Sequence, residues 1–270
     1  MRTLGAGFKR VEDASWLIHG NLHESESMPR QLHEKSTVEE IRQRFDADVE
    51  RFSKLETGQQ AAMDAAVILE VVSRAAACHV RPRGRLLDLG CGAGNFTLRV
   101  LGQVSPLDCV LVDLSRPMLE RAEQRVKAAP SGSVETIQSD LRLLSFSPAS
   151  FDLILAGQVL HHLREDAEWE AMFARFQEWL RPGGTLFVAD YITYDDPGIQ
   201  ELMQMRYAEY LVNLGGTEYR DKVFAYSEKE DSPRSTKYQF DLLAKAGFTE
   251  FDVLHKNALF AAFYARKRCE

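Results

Sequence analysis

The spacing of hydrophobic positions changes several times along this 270-residue chain. At the start it has no period: glycines at 5, 7 and 20 and a proline at 29 interrupt it, which predicts a loose tail over 1–35. From residue 36 the spacing becomes helical. Ser36 and Thr37 each stand three residues before a glutamate, Glu39 and Glu40, the spacing of a capping box, so a helix begins here. Val38, Ile41, Phe45, Val49 and Phe52 share one face of it. A break at Gly58 precedes a second helix over 61–77, giving a helical cap over 36–84.

From Arg85 the texture alternates. Short apolar runs at 86–87, 110–112, 134–139, 153–156 and 186–189 mostly end in an acid, and helical stretches such as 118–128 and 169–180 separate them. Strand, helix, strand, helix predicts a parallel sheet with right-handed crossovers. Strands buried on both faces read as continuous apolar runs, as these do. Residues 195–234 contain no strand candidate and form a helical insert, a lid. A helix over 235–246 stops at Gly247. Two strands near 251–255 and 258–264 are joined by a turn too short for a crossover, so they are antiparallel. The expected fold is α/β, doubly wound, with a mostly parallel seven-stranded sheet and an antiparallel last strand. It occupies 85–270, with the lid at about 195–234.

The stretch from Leu86 to Asn95, LLDLGCGAGN, joins the first strand to a helix. Gly90, Gly92 and Gly94 permit a tight turn and close approach of a ligand, and the helix behind offers free N–H groups. The spacing is G-x-G-x-G, with Asn95 after the third glycine, and so differs from the dinucleotide fingerprint. Asp88, two residues before the first glycine, repels a diphosphate and suits a ligand with a cationic amine. Asp113 follows Gly94 by 19 residues, at the end of the second strand, where an acid accepts ribose hydroxyls. Asp140 closes the third strand and is placed to accept from an adenine amino group.

Charge narrows the partners. The net charge is -7, against a nucleic-acid partner, which calls for a basic face. The four cysteines, Cys78, Cys91, Cys109 and Cys269, show neither C-x-x-C pairs nor zinc-finger spacing. They predict a reducing, cytoplasmic setting and no metal. No apolar run approaches a membrane span, and residues 1–20 lack the apolar core of a signal peptide. An oligomeric state is not legible.

With the motifs at 88–94, Asp113, Ser139-Asp140-Leu141 and Arg181-Pro182-Gly183-Gly184, residues 85–267 resemble the class I, Rossmann-like S-adenosylmethionine-dependent methyltransferases. The resemblance implies that residues 90–94, Cys91 included, wrap the methionine part of the cofactor. It implies Asp113 and Leu114 at the ribose, Asp140 and Leu141 near the adenine, and Met118 on the adenine face. Ala156, Gly157 and Gln158 would line the opposite side. A looser similarity is to the carboxy-S-adenosylmethionine synthase group, through Phe45-Asp46, the long insert and Lys245-Ala246-Gly247-Phe248. That group uses an arginine of the insert to hold the extra carboxylate. Here Phe224 falls at that place, with Arg220 nearby, which favours methyl transfer to a small molecule over the synthase activity.

Methyl transfer from a sulfonium is downhill, so proximity carries much of the rate and a base is needed only for a protonated acceptor. His161 and His162 open the turn after the fourth strand, and His161 is the candidate base. Seven of eight tyrosines lie between 191 and 238. Tyr191, Tyr207, Tyr210 and Tyr226 are the candidate lining of a substrate pocket. The run Glu228-Lys229-Glu230-Asp231 reads as solvated surface, with binding of a basic substrate or a metal by its acids as the alternative. A nicotinamide dehydrogenase is opposed by Asp88 and Asn95. An RNA methyltransferase is opposed by the negative charge and by the lack of an added basic domain. A non-catalytic module is also compatible with the pattern, because a fold does not fix a function.

Overall fold

The computed structural model describes residues 32–54 and 59–269; the tail expected over 1–35 lies outside the described residues as far as residue 31. The strands are β1 (Arg85–Leu89), β2 (Asp108–Asp113), β3 (Val134–Gln138), β4 (Phe151–Gly157), β5 (Leu180–Tyr191), β6 (Glu250–Asn257) and β7 (Phe260–Arg266). They form one seven-stranded sheet in the order β3-β2-β1-β4-β5-β7-β6. The pairs among β1 to β5 are parallel, and β7 runs antiparallel to both β5 and β6. The doubly wound fold read from the sequence is the observed one.

Successive side chains of a strand point to opposite faces, and the core divides accordingly. Leu86, Cys109, Leu111, Leu153, Leu155 and Phe187 pack on one side. They meet α3 (Ala65–His79), α4 (Asn95–Leu101) and α5 (Arg116–Ala128), through residues such as Val72, Val100 and Ala122. Leu87, Val110, Val112, Ile154, Leu186 and Val188 pack on the other side. There they meet α6 (Asp166–Trp179) and α8 (Thr236–Ala246), through Trp169, Phe173, Phe176 and Leu243. Each fully buried side chain of this size contributes about 1.5–3 kcal/mol, so both faces must be covered for the sheet to persist.

Two further elements roof the carboxyl edge of the sheet. The first is α1 (Val38–Asp46) followed by the short α2 (Val49–Phe52). Of the two caps the sequence offers, Thr37 is used: its hydroxyl accepts from the Glu40 N–H, and the Glu40 carboxylate accepts from the Thr37 N–H. The Ser36 N–H is instead committed to the Lys229 carbonyl at 2.9 Å. The single apolar face expected over 38–52 is broken at Ala47 and Asp48, because tertiary bonds bend the chain toward the sheet. Asn95 Nδ2 donates to the Phe52 carbonyl at 2.9 Å, and Ser115 Oγ donates to Asp46 at 2.6 Å. The helix expected over 61–77 begins only at Ala65. Asp64 takes a left-handed conformation before it, and its carboxylate is bound by His255 and Asn257 of β6.

The second roofing element is α7 (Pro197–Glu230), the lid predicted between the fifth and sixth strands, kinked at Gly216, where φ is 83°. Its last turn corrects one expectation: Glu230 and Asp231 are 5% and 8% exposed, so this end of the charged run is interior. Arg44 of α1 supplies the reason. Its guanidinium binds the Glu230 carboxylate at 2.6 to 2.9 Å through Nε and Nη2, and it lies over the rings of Phe45 and Tyr226. Lys35 and Arg164 add bonds to the Asp231 and Ser36 carbonyls.

Truncating one member of a mostly buried ion pair strands the other charge. Arg44→Ala therefore lowers the unfolding free energy by about 3 kcal/mol in a denaturant titration, whereas the double variant Arg44→Ala with Glu230→Gln recovers part of the loss. Equal stability of wild type and Arg44→Ala would remove the clasp as the tie between cap and lid.

Candidate functional site

The five parallel strands end on one edge, and the turns that follow them surround a cleft of about 1530 Å³, counted to its open mouth. After β1 the chain passes Gly90, Gly92 and Gly94 with φ of 62°, 51° and 82°, a backbone region that side chains beyond glycine rarely adopt. At Gly90 a Cβ would also collide with Val159 at 2.4 Å. At Gly92 a Cβ would meet nothing within 4 Å, since that position opens on the cleft. Gly94 faces the other way, toward Ala122 and Val126 of α5.

Asp113, at the end of β2, accepts from the Gly92 N–H and the Ser115 N–H, both at 2.8 Å, and so ties the loop to the neighbouring strand. Burial pushes its pKa up to about 6 against those bonds. Asp140 caps the 3-10 turn Leu141–Leu143. Burial works to raise its pKa, but the Arg142 guanidinium, bound to both carboxylate oxygens, outweighs it and holds the carboxyl below its ordinary value.

The structure brings most of the sequence-predicted residues to the cleft wall. Gly90, Cys91, Gly92, Asp113, Leu114 and Met118 line one end. Asp140, Leu141, Gly157 and Gln158 complete it. Four do not reach the wall. Asp88 is buried behind the loop, where its carboxylate accepts from Thr97 Oγ1 at 2.6 Å. Burial raises its pKa to about 7. Expected to suit a cationic amine, it stands behind the loop and secures the junction of β1 with α4. Gly94 and Ala156 support the wall from inside. Tyr210 stacks on Tyr207 and donates to the Gln60 carbonyl at 2.8 Å, outside the cleft.

The opposite end is aromatic and charged, formed by Phe45, Phe52, Tyr191, Tyr207 and Tyr226 around His161. Tyr207 donates to the Ala61 carbonyl at 2.8 Å, so the lid and the segment before α3 are joined through it. His161 sits on Asp190, the last acid of β5: its N–H donates to Asp190 at 3.0 Å and its Nδ1 pairs with the same carboxylate. Burial alone would depress the His161 pKa, but Asp190 and Asp231 outweigh it and hold the ring at about 9. The two carboxylates therefore favour the protonated form of His161 over the free base. Burial, reinforced by the charge on His161, holds His162 well below its ordinary value, so that ring is neutral. Asp231 is pushed up to about 6 by burial, with His161 acting against it.

Sequence reasoning missed Arg44, Phe45 and Asp190 as parts of this end, and named His162 and Asp231 without placing them there. Asp190 carried a readable signal, an acid closing the fifth strand as Asp113 closes the second. Asp231 lies in a charged run that spacing reads as surface, with binding of a basic substrate or a metal as the lesser alternative, and its burial shows only once its partners are known.

Comparisons with known proteins agree with this architecture. Residues 86–184 match a family described as a methyltransferase domain. A carboxy-S-adenosyl-L-methionine synthase of Shewanella sp. (strain ANA-3) is 28% identical over 192 residues, covering 70% of this chain and 78% of that protein. The (4+2)-cyclase SpnF superposes with a TM-score of 0.60 at 15% identity, over 87% of this chain and 98% of that one. Human N-acetylserotonin methyltransferase, solved in complex with SAM, superposes with a TM-score of 0.53 at 18% identity, over 86% of this chain and 57% of that one. Among the described residues no helix is long and apolar enough to cross a membrane. Residues 86–184 are thus similar to a methyltransferase domain, and the seven-stranded sheet shares its fold with these solved structures.

Proposed function

We propose that the chain binds S-adenosylmethionine at the glycine-loop end of the cleft and methylates a small molecule held at the His161 end. The observation that carries this reading is the cradle at Gly92, open to the cleft beside the Asp113 carboxylate and continuous with the aromatic end. Bound there, the cofactor supplies an electrophilic methyl group on a sulfonium. Gly90, Cys91 and Gly92 would hold its amino-acid part by backbone contact. Asp113 would accept from the ribose hydroxyls, with Leu114 and Met118 beside the nucleoside. Asp140 and Leu141 would border the adenine, with Gly157 and Gln158 across from them. Asp88 contributes from behind the loop, through Thr97 and its charge. Phe45 and the tyrosines exclude water and orient the acceptor, which is the main catalytic requirement of an in-line displacement. His161, held by Asp190, would fix a polar group of the acceptor.

The second reading is the synthase activity of the relatives by sequence, and the cleft disfavours it. A second carboxylate on the cofactor needs an uncommitted cation. Among the described residues, the three arginines that line the cleft each face a carboxylate: Arg44 faces Glu230, Arg51 faces Asp48 and Arg142 faces Asp140. Phe224 packs on Tyr207, and Arg220 is bound to Asp221.

Mass spectrometry of the nucleoside released on denaturing the purified protein tests the proposal. S-adenosylmethionine or S-adenosylhomocysteine supports it, a carboxylated S-adenosylmethionine transfers the assignment to the synthase, and a nicotinamide nucleotide overturns both.

The pH dependence of binding has a definite sign. Asp113 and Asp88 titrate at about 6 and about 7, above the ordinary carboxylate value of about 4. The native apoprotein therefore holds more protons than the unfolded chain between those values, and this contribution to stability falls as pH rises. Ligand binding favours the charged carboxylates, so S-adenosylhomocysteine affinity falls as pH is lowered from about 7.5 to about 5. In calorimetry Asp113→Asn binds about tenfold more weakly at neutral pH and shows a flatter profile. An unchanged profile would dissociate Asp113 from the ligand.

His161→Ala lowers turnover at least about 100-fold in an acceptor assay, while S-adenosylhomocysteine affinity stays within about twofold. Undiminished turnover would remove His161 from the acceptor end.

A further inference from the structure

We propose that His161, His162 and Asp231 form a binding site for a divalent first-row transition metal at the aromatic end of the cleft. One donor atom from each of the three lies within 4.8 Å of the others. Asp231 Oδ1 is 3.7 Å from His161 Nε2 and 3.4 Å from His162 Nδ1. A metal about 2.0–2.1 Å from each of its ligands sets ligand-to-ligand separations of about 3.4 Å, so the triad closes with small side-chain adjustments.

Three independent features point the same way. Both ring nitrogens of His162 are buried without a hydrogen-bond partner, a costly arrangement for a neutral imidazole. Coordination of one nitrogen removes part of that cost. His161 is already oriented as a ligand, because its Nδ1 is committed to Asp190 and its Nε2 faces Asp231, and a metal bound there displaces the Nε2 proton to solvent. A carboxylate behind a histidine is the usual support of a metal-binding imidazole. The backbone is also locked, since the Ser232 N–H donates to the His161 carbonyl at 2.7 Å and brings the segment after α7 onto the turn after β4.

Charge agrees with a divalent ion. Asp190 and Asp231 leave two negative charges before the imidazoles are counted, and the nearby Arg44 is neutralised by Glu230. Two imidazoles and one carboxylate suit zinc, iron or cobalt and leave positions open toward the cleft. On the reading of the cleft given above, those positions would take a chelating acceptor. The metal site itself stands without that reading.

Cobalt(II) titration of the full-length protein after chelator treatment tests the site without any activity assay. One equivalent of cobalt is expected to give a visible d–d band that zinc(II) then displaces. His162→Ala and Asp231→Asn abolish the band or weaken binding by more than tenfold. Asp190→Asn, which touches no metal, weakens it by about 10- to 100-fold. Circular dichroism checks the fold of each variant, and His162→Gln replaces His162→Ala if the latter unfolds. Wild-type protein that gives no band overturns the proposal, as does a folded His162 variant with wild-type affinity. S-adenosylhomocysteine binding, measured on the same samples, reports separately on the cofactor end: metal binding without nucleoside binding would sink the proposed function and leave the metal site standing.

Discussion

A parallel sheet ends all its strands on one edge, and that constraint generates everything else in this molecule. Backbone groups beyond the last ladder bond need new partners, and the turns there carry side chains that no strand pairing consumes. Gly90 to Gly94, Asp113, Asp140, Gln158 and Asp190 belong to five different strand ends, far apart in sequence, and meet because the strands run the same way. The Gly92 N–H bond to Asp113 shows the economy of this arrangement: one contact closes the glycine loop and positions the acid.

The edge is roofed by two elements that lack a core of their own. The cap α1–α2 and the lid α7 meet through Arg44 and Glu230, Ser36 and Lys229, and Tyr207 and the Ala61 carbonyl. A buried ion pair gives little net stability over an apolar pair, but it demands one geometry. Here that geometry turns Asp231, the residue after Glu230, into the cleft beside the two histidines. The same clasp therefore joins the roof and completes the charged end of the site.

Buried charge is concentrated where it shapes the cleft. Asp88, Asp190, Glu230 and Asp231 are each under 9% exposed, against a general cost of several kcal/mol for burying an unpaired ion. Asp190 and Glu230 are compensated by His161 and Arg44. Asp88 and Asp231 are compensated less, and their pKa values rise accordingly. Strain of this kind in a site, carried by a well-packed sheet with Trp169, Phe173 and Phe176 beneath it, is the usual trade of stability for function.

The sequence by itself determined the sheet, the glycine loop and the acids that close the strands, because these are written in short-range spacing. Apolar runs of a few residues, a glycine where φ must be positive and a threonine three residues before a glutamate each state their own conformation. What only the tertiary structure decided is where side chains point once distant elements meet. Spacing could not show that Asp88 would turn to Thr97, that the 38–52 helix would bend onto Asn95, or that Glu230 and Asp231 would face inward. Those outcomes rest on partners 9, 43 and 186 residues away, Thr97 for Asp88, Asn95 for Phe52 and Arg44 for Glu230. A charged residue is solvated unless a compensating group arrives, and only packing brings that group to it.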